Sequence, residues 1–363
     1  MGKRADTVIG IDLGKHVFKG VTLRRKSDSR LVLTSFASRE VPETFATADE
    51  LAEELKQLLR ELGNGAKTCV VAISDPAVLL RIVEQPETPT ELLRNALRLN
   101  GMPVLNQDCR DFVLDVAPVH ATNGADYLTT EEKAGSEGGS TSVMVQGGVT
   151  TKTKYLVGGM PRAIVKQVSE AMSKTRLTPE VFQLASVCSF NAFEFAYPEI
   201  FNNEAFLLLD MGHLQSTVLI GSKGELVLAR SIDYGGKALT HALTADGALD
   251  KEAAWGLIHQ GDEGMSDICR TSLSRLATEV RNSIGFFEGQ REESINRIFV
   301  SGGLARAETV LQMLSDELGL ACEVWDPLET CEVAVPAAKR QILPDEFVSL
   351  NAACGAAFEY LRN

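Results

Sequence analysis

The stretch Val8–Val21 reads VIGIDLGKHVFKGV. Apolar, partly β-branched residues run to Asp12, break at Asp-x-Gly with two basic residues behind it, and resume at Val17, which is the pattern of two strands joined by a tight bend. A second stretch, FLLLDMGHLQSTVLIG over Phe206–Gly221, follows the same plan. Asp210 stands where Asp12 does, Gly212 answers Gly14, and His213 follows the bend as Lys15 and His16 do. One Asp-x-Gly is an ordinary hairpin turn; two copies in matching contexts indicate a duplicated supersecondary unit.

The elements around each copy extend the match. Val8–Asp12, Val17–Leu23 and Leu31–Phe36 read as three strands, and Phe206–Asp210, Ser216–Ile220 and Glu225–Ser231 as three more. A helix follows the first trio, with Thr47 and Glu50 at capping-box spacing and Leu51, Leu55, Leu58 and Leu59 on one face. Thr68–Ser74 is a strand, Thr88-Pro89-Thr90-Glu91 carries a second capping-box pattern, and Phe112–Val119 and Lys154–Gly158 are strands. Thr122–Ser140, rich in Gly, Ser, Thr and acids, reads as a loop or hairpin tip. Pro161 opens a further helix, Ser266–Gly289 is a long one, and the strand Arg297–Val300 runs into Ser301-Gly302-Gly303. Arg306–Leu318 is read as helix, Cys322–Trp325 as strand and Phe347–Leu361 as a closing helix.

These bends suit phosphate chemistry. Glycine lets backbone N–H groups approach an anion unobstructed. An aspartate ending each strand can hold hydrated Mg²⁺, which binds few protein carboxylates directly. Asp12 and Asp210 are therefore the candidate metal residues. Gly14, Lys15, His16, Lys19, Gly212 and His213 are candidates for the phosphates. Gly302 and Gly303 leave room for a flat base, Gly235, Gly236 and Lys237 approach the same nucleoside from the other side, and Glu252 can reach a ribose hydroxyl.

Composition excludes several alternatives. The 363 residues carry a net charge of −13, which disfavours a nucleic-acid partner that needs a basic face. Seven dispersed cysteines without C-x-x-C read as buried hydrophobes in a reducing compartment. The opening MGKRADTVIG has no apolar signal region, and no run reaches the roughly 18 apolar residues of a membrane span, so a cytoplasmic location is expected.

Together these motifs resemble the actin-like ATPase superfamily, with phosphate-1 at Gly10–Lys19, phosphate-2 at Asp210–Thr217 and the adenosine motif at Ser301–Gly303. Within it the chain is similar to the PilM family of type IV pilus assembly proteins and to its relative FtsA. The resemblance implies an α/β fold of two duplicated RNase H-like lobes around a nucleotide cleft. It places the first lobe at 1–81, a small inserted α+β subdomain at 82–184 with a loop at about 121–150, the second lobe at 185–345, and a helix returning to the first lobe at 346–363. It further implies ATP and Mg²⁺ as ligands, slow or absent hydrolysis, and a scaffold that docks the cytoplasmic tail of a PilN-like bitopic inner-membrane protein beside the inserted subdomain. Other pilus assembly components and a weak homo-oligomer are the remaining partners, with membrane contact made through PilN rather than by insertion.

Two alternatives share the fold: an FtsA-like membrane-associated filament former, and a small-molecule kinase in which Asp75 would be the general base. The family's bends usually carry small hydroxyl residues, where this chain has Lys15-His16 and His213-Leu214, and Lys237 stands where an acidic or neutral residue is common.

Overall fold

The computed structural model describes residues 5–27, 30–63, 65–119, 152–245, 247, 249–260 and 266–362. The expected loop at Thr122–Ser140 lies outside the described residues. The chain begins with β1 (Thr7–Leu13), β2 (Val17–Ser27), β3 (Arg30–Glu40), α1 (Ala48–Leu62) and β4 (Thr68–Ile73). Next come β5 (Leu79–Pro86), α2 (Thr90–Leu99), α3 (Met102–Leu105), β6 (Phe112–Pro118), β7 (Lys152–Pro161), α4 (Arg162–Ser173) and β8 (Thr178–Leu184). The chain continues through α5 (Ala185–Ala196), α6 (Pro198–Asn203), β9 (Ala205–Met211), β10 (Ser216–Ser222), β11 (Glu225–Ile232), α7 (Gly236–Leu243), α8 (Lys251–Gln260) and α9 (Ser266–Gln290). It closes with β12 (Arg297–Ser301), α10 (Glu308–Leu318), β13 (Ala321–Val324), β14 (Glu332–Val333), α11 (Ala337–Glu346) and α12 (Asn351–Arg362).

Duplication is plain in the sheets. One has the order β14-β3-β2-β1-β4-β8, another β11-β10-β9-β12-β13, and a smaller one β5-β7-β6. Without β14, the two large sheets have one topology: an antiparallel three-strand meander extended by two parallel strands. Parallel strands need both faces covered, and β1 is buried from Val8 to Leu13.

The cover on β1 is α12. A Cβ added to Gly10 would collide with the Ala353 carbonyl, and one added to Gly355 would collide with the Cys188 carbonyl on α5. The Ala- and Gly-rich sequence NAACGAAF thus lets α12 lie backbone-close between β1 and α5. On the other side, α1 buries Leu51, Leu55, Leu58 and Leu59, with the Thr47 hydroxyl accepting from the Glu50 N–H at 3.2 Å. The second lobe is built alike, α9 burying Leu273, Leu276, Val280 and Phe287 in a core shared with β9, β10 and β12.

Several expectations change in detail. The second capping box does not form: α2 begins after Pro89, and Thr88 instead gives its hydroxyl to Pro86 O and its N–H to the Tyr155 hydroxyl. The closing helix, expected over Phe347–Leu361, starts later: a 3₁₀ turn occupies Phe347–Ser349 and α12 begins at Asn351. Strand β8 pairs with β4, so the 82–184 stretch contributes one strand to the first large sheet besides most of the small one. All seven cysteines are free, and five are buried.

Candidate functional site

The two bends meet. Gly14–His16 links β1 to β2, Gly212–Gln215 links β9 to β10, and the His16 and His213 rings stack with centroids 4.3 Å apart at 21°. Behind each bend the strand-ending aspartate faces inward. Asp12 is buried, held by Lys19 Nζ and Ser74 Oγ, each at 3.4 Å. Burial pushes its carboxyl above the ordinary value; Lys19 pulls it back, and the charge of Asp210 pushes it up again. Asp210 Oδ1 accepts the Ser301 hydroxyl at 3.0 Å.

A polar chain extends from there into the core. Asn351 Nδ2 donates to Ser301 Oγ at 3.2 Å and to Ser189 Oγ at 2.8 Å, and the Ser189 hydroxyl bonds back to Ala185 O. All three side chains are buried, so the network fixes Asp210 from behind through α5 and α12. Beside the bends, Ser74, Ser186, Asp210, Gln215, Thr217 and Arg230 line a cavity that reaches Val78 and Leu80.

The other predicted residues group around this centre. Gly235 caps α7; the Gly236 N–H donates to Gly212 O and the Lys237 N–H to His213 O, both at 2.9 Å. The second bend and the start of α7 are thus one rigid unit. Gly302 sits at φ +93, its N–H bonded to Val348 O, and a Cβ there would strike the Met211 carbonyl. Gly303 faces open space. A Cβ on Gly236 would come within 2.8 Å of the Trp255 ring and 3.8 Å of Leu304, so Trp255 stands among the candidate base-side glycines. Glu252, one turn before Trp255 on α8, is exposed.

Each predicted lysine of the site carries a carboxylate. Lys15 pairs with Asp75, Lys19 with Asp12, and Lys237 with Glu43 at 2.6 Å. The His213 Nε2 also meets Glu43, at 3.2 Å. Burial lowers the His213 pKa, and Glu43 opposes that shift. Asp75, the candidate base, has both oxygens engaged, one by Lys15 and the other by the Ala77 N–H at 2.8 Å.

Sequence reasoning missed Glu43, Ser74, Asn351 and Trp255. Asn351 carried a signal, a polar residue heading an otherwise small and apolar helix; Trp255 lies at helical spacing from Glu252. Glu43 carried none, because it reaches its partners across the fold. Among the described residues no cluster of three or more His, Cys, Asp or Glu could hold a metal, and no helix is long and apolar enough to cross a membrane.

Comparison with known proteins agrees with this architecture. A structure described as the PilM-PilN type IV pilus biogenesis complex superposes with a TM-score of 0.80 at 23% identity, covering 99% of this chain and 100% of that one. The ethanolamine utilization protein EutJ from Carboxydothermus hydrogenoformans superposes at 0.53 with 12% identity, covering 100% of this chain and 91% of its own. A diol dehydratase-reactivating factor in nucleotide free form superposes at 0.55 with 10% identity, covering 99% and 100%. No curated protein sequence matches. The fold is the actin-like ATPase fold. The model of the family described as type IV pilus assembly protein PilM matches residues 146–361. That span is more than half of the chain, which therefore belongs to the PilM family.

Proposed function

We propose that this protein is a nucleotide-binding scaffold of type IV pilus assembly, which takes Mg²⁺·ATP between its two bends and docks the cytoplasmic tail of a PilN-like inner-membrane protein. The observation that carries the nucleotide half is the His16–His213 contact, because it brings the two phosphate bends to one point. Family membership and the likeness to a PilM-PilN complex support the assembly half.

The residues suit the ligand. Asp12 and Asp210 offer hard oxygens, and the repulsion by Asp210 that adds to the effect of burial on the Asp12 carboxyl is relieved by a cation between them. These two would hold Mg²⁺, which supplies charge neutralisation to the polyphosphate when bound. Lys15, Lys19, His213 and Lys237 are the donors in reach of phosphate oxygens. Gly303 leaves space for the base, and the Trp255 ring lies against Gly236.

For the partner, the small sheet with α2 and α3 offers apolar surface: Leu92 is 61% exposed, Leu99 74% and Met102 58%. Single exposed apolar residues are common, but a group on one subdomain suits a docked segment. We take this inserted unit as running within 82–184, with the nucleotide lobes on either side of it in sequence.

Titrating ATP and Mg²⁺ calorimetrically into wild type and Asp210→Ala tests the cleft. Heat with wild type and none with the variant is expected. An absence of heat with wild type would end the nucleotide reading, and equal heats would show that the cation lies elsewhere. Co-purification with a single-pass pilus protein, lost when its extreme N-terminus is deleted, tests the scaffold role.

A further inference from the structure

We infer that Glu43 is an internal competitor for the nucleotide's phosphates, a carboxylate that bridges the two lobes and must be displaced before a polyphosphate can bind. The inference rests on the reading of the cleft as a nucleotide site and adds how that site is controlled.

Glu43 follows β3 in the first lobe, yet both its oxygens are used by the second. Oε1 meets His213 Nε2 at 3.2 Å and Oε2 meets Lys237 Nζ at 2.6 Å. These are the donor side chains of the second bend and of the helix start locked to it. Two oxygens spread over two donors is how a phosphate group would engage the same pair.

The carboxylate is aimed by its own segment. On one side the Val41 N–H donates to His16 O at 2.8 Å, fixing the segment to the first bend. On the other, Phe45 rests on Phe18 at 5.7 Å between ring centroids, and its carbonyl accepts from Gln167 Nε2 at 2.9 Å. These anchors hold the backbone of Glu43 beside the second bend, within reach of both partners.

His213 supplies a second sign that the arrangement is provisional. With Nε2 on Glu43, Nδ1 is buried without a hydrogen-bond partner. A buried nitrogen left unmatched carries a cost. A phosphate engages Nδ1 as well as Nε2 only when the ring is doubly protonated, a state that the negative charge of a bound polyphosphate favours.

Competition of this kind lowers apparent affinity by the fraction of molecules in which the carboxylate is in place. It also makes the lobe contact exchangeable: Glu43 bridges the lobes before binding, and the phosphates do so afterwards.

The test compares opposite signs. Mg²⁺·ATP is titrated into wild type, Glu43→Gln, Glu43→Ala and Lys237→Met, with a thermal melt of each to establish folding. Both Glu43 variants should bind about two- to fivefold more tightly than wild type, the scale of one solvent-exposed charge pair. Lys237→Met should bind more weakly, since it removes a phosphate donor. A purely structural role for the pair would move both residues' variants in the same direction. Unchanged or weaker binding by Glu43→Gln, with wild type binding normally, would overturn the inference and leave the nucleotide reading standing. Failure of wild type and all variants to bind would overturn both.

Discussion

His16 and His213 both lie in the bends of a duplicated fold, one bend in each half, and their imidazoles lie face to face, 4.3 Å between centroids. His213 thereby feels any charge on His16, and Glu43 and Lys237 border the same spot. The contact makes the junction of the lobes a titratable one.

Acid should loosen that junction. Burial holds His213 below its ordinary 6.5, so the unfolded chain binds a proton more readily than the folded one. The stability from this group is complete above 6.5 and is lost as pH falls toward the lowered value. Glu43, held below its ordinary 4.5 by Lys237 first and His213 second, adds the same sign in a more acidic window. We expect wild-type stability to fall between about pH 7 and pH 5, and His213→Gln to flatten that slope. Urea unfolding of both proteins across this range is the measurement; parallel slopes would refute it.

Nucleotide binding should release protons. The Asp12 carboxyl is raised by burial, and by Asp210 against the pull of Lys19, so its proton is lost less easily than usual. A cation between the aspartates requires both ionised. Affinity for Mg²⁺·ATP should therefore weaken as pH falls, with proton release seen as a dependence of calorimetric heat on buffer ionisation enthalpy. Asp12→Asn should abolish that dependence.

Breaking the polar chain behind Asp210 should cost both stability and cation binding. Ser301→Ala takes one donor from Asp210 and one acceptor from Asn351. A loss of about 1–3 kcal/mol is expected. Asn351→Ala should be non-additive with it, because the two share one network. A double-mutant cycle by chemical denaturation reads the coupling, and strictly additive losses would show that the chain carries nothing.

Filling the close contacts of α12 should be severe. Gly355→Ala drives a methyl into the Cys188 carbonyl, and Gly10→Ala does the same to Ala353. Overpacking backbone against backbone should cost about 3 kcal/mol or more, since no side-chain rotamer can yield. The midpoint of urea unfolding measures it, and a change within 0.5 kcal/mol, about that of an ordinary surface substitution, would contradict the packing.

Most of the frame was readable beforehand because its signals are local. The two Asp-x-Gly bends, the apolar and β-branched run Val17–Leu23 and the Thr47 cap each follow from a few adjacent residues, and each lies where expected. The elements that escaped are those whose sequence argues against them. Strand β8 contains Pro179 and Glu180 and sits at a sheet edge, where missing donors and charges are tolerated. Helix α5 is apolar nearly all round, so it lacks the periodicity of a surface helix. The Thr88 motif failed because Tyr155, far along the chain, took the N–H that a cap would have used. The ion pairs of the site were invisible for the same reason: Glu43 finds Lys237 only after two lobes have formed.

The placement of α12 bears on how the molecule is made. Strand β1 leaves the ribosome well before α12, yet one of its faces is covered by that helix, translated after both large sheets. Until then the nascent amino-terminal half presents a greasy surface that nothing local can shield, a situation in which growing chains recruit chaperones or misassemble. Synthesis therefore proceeds with an unfinished first half, and the final turns of helix act as the keystone that completes it.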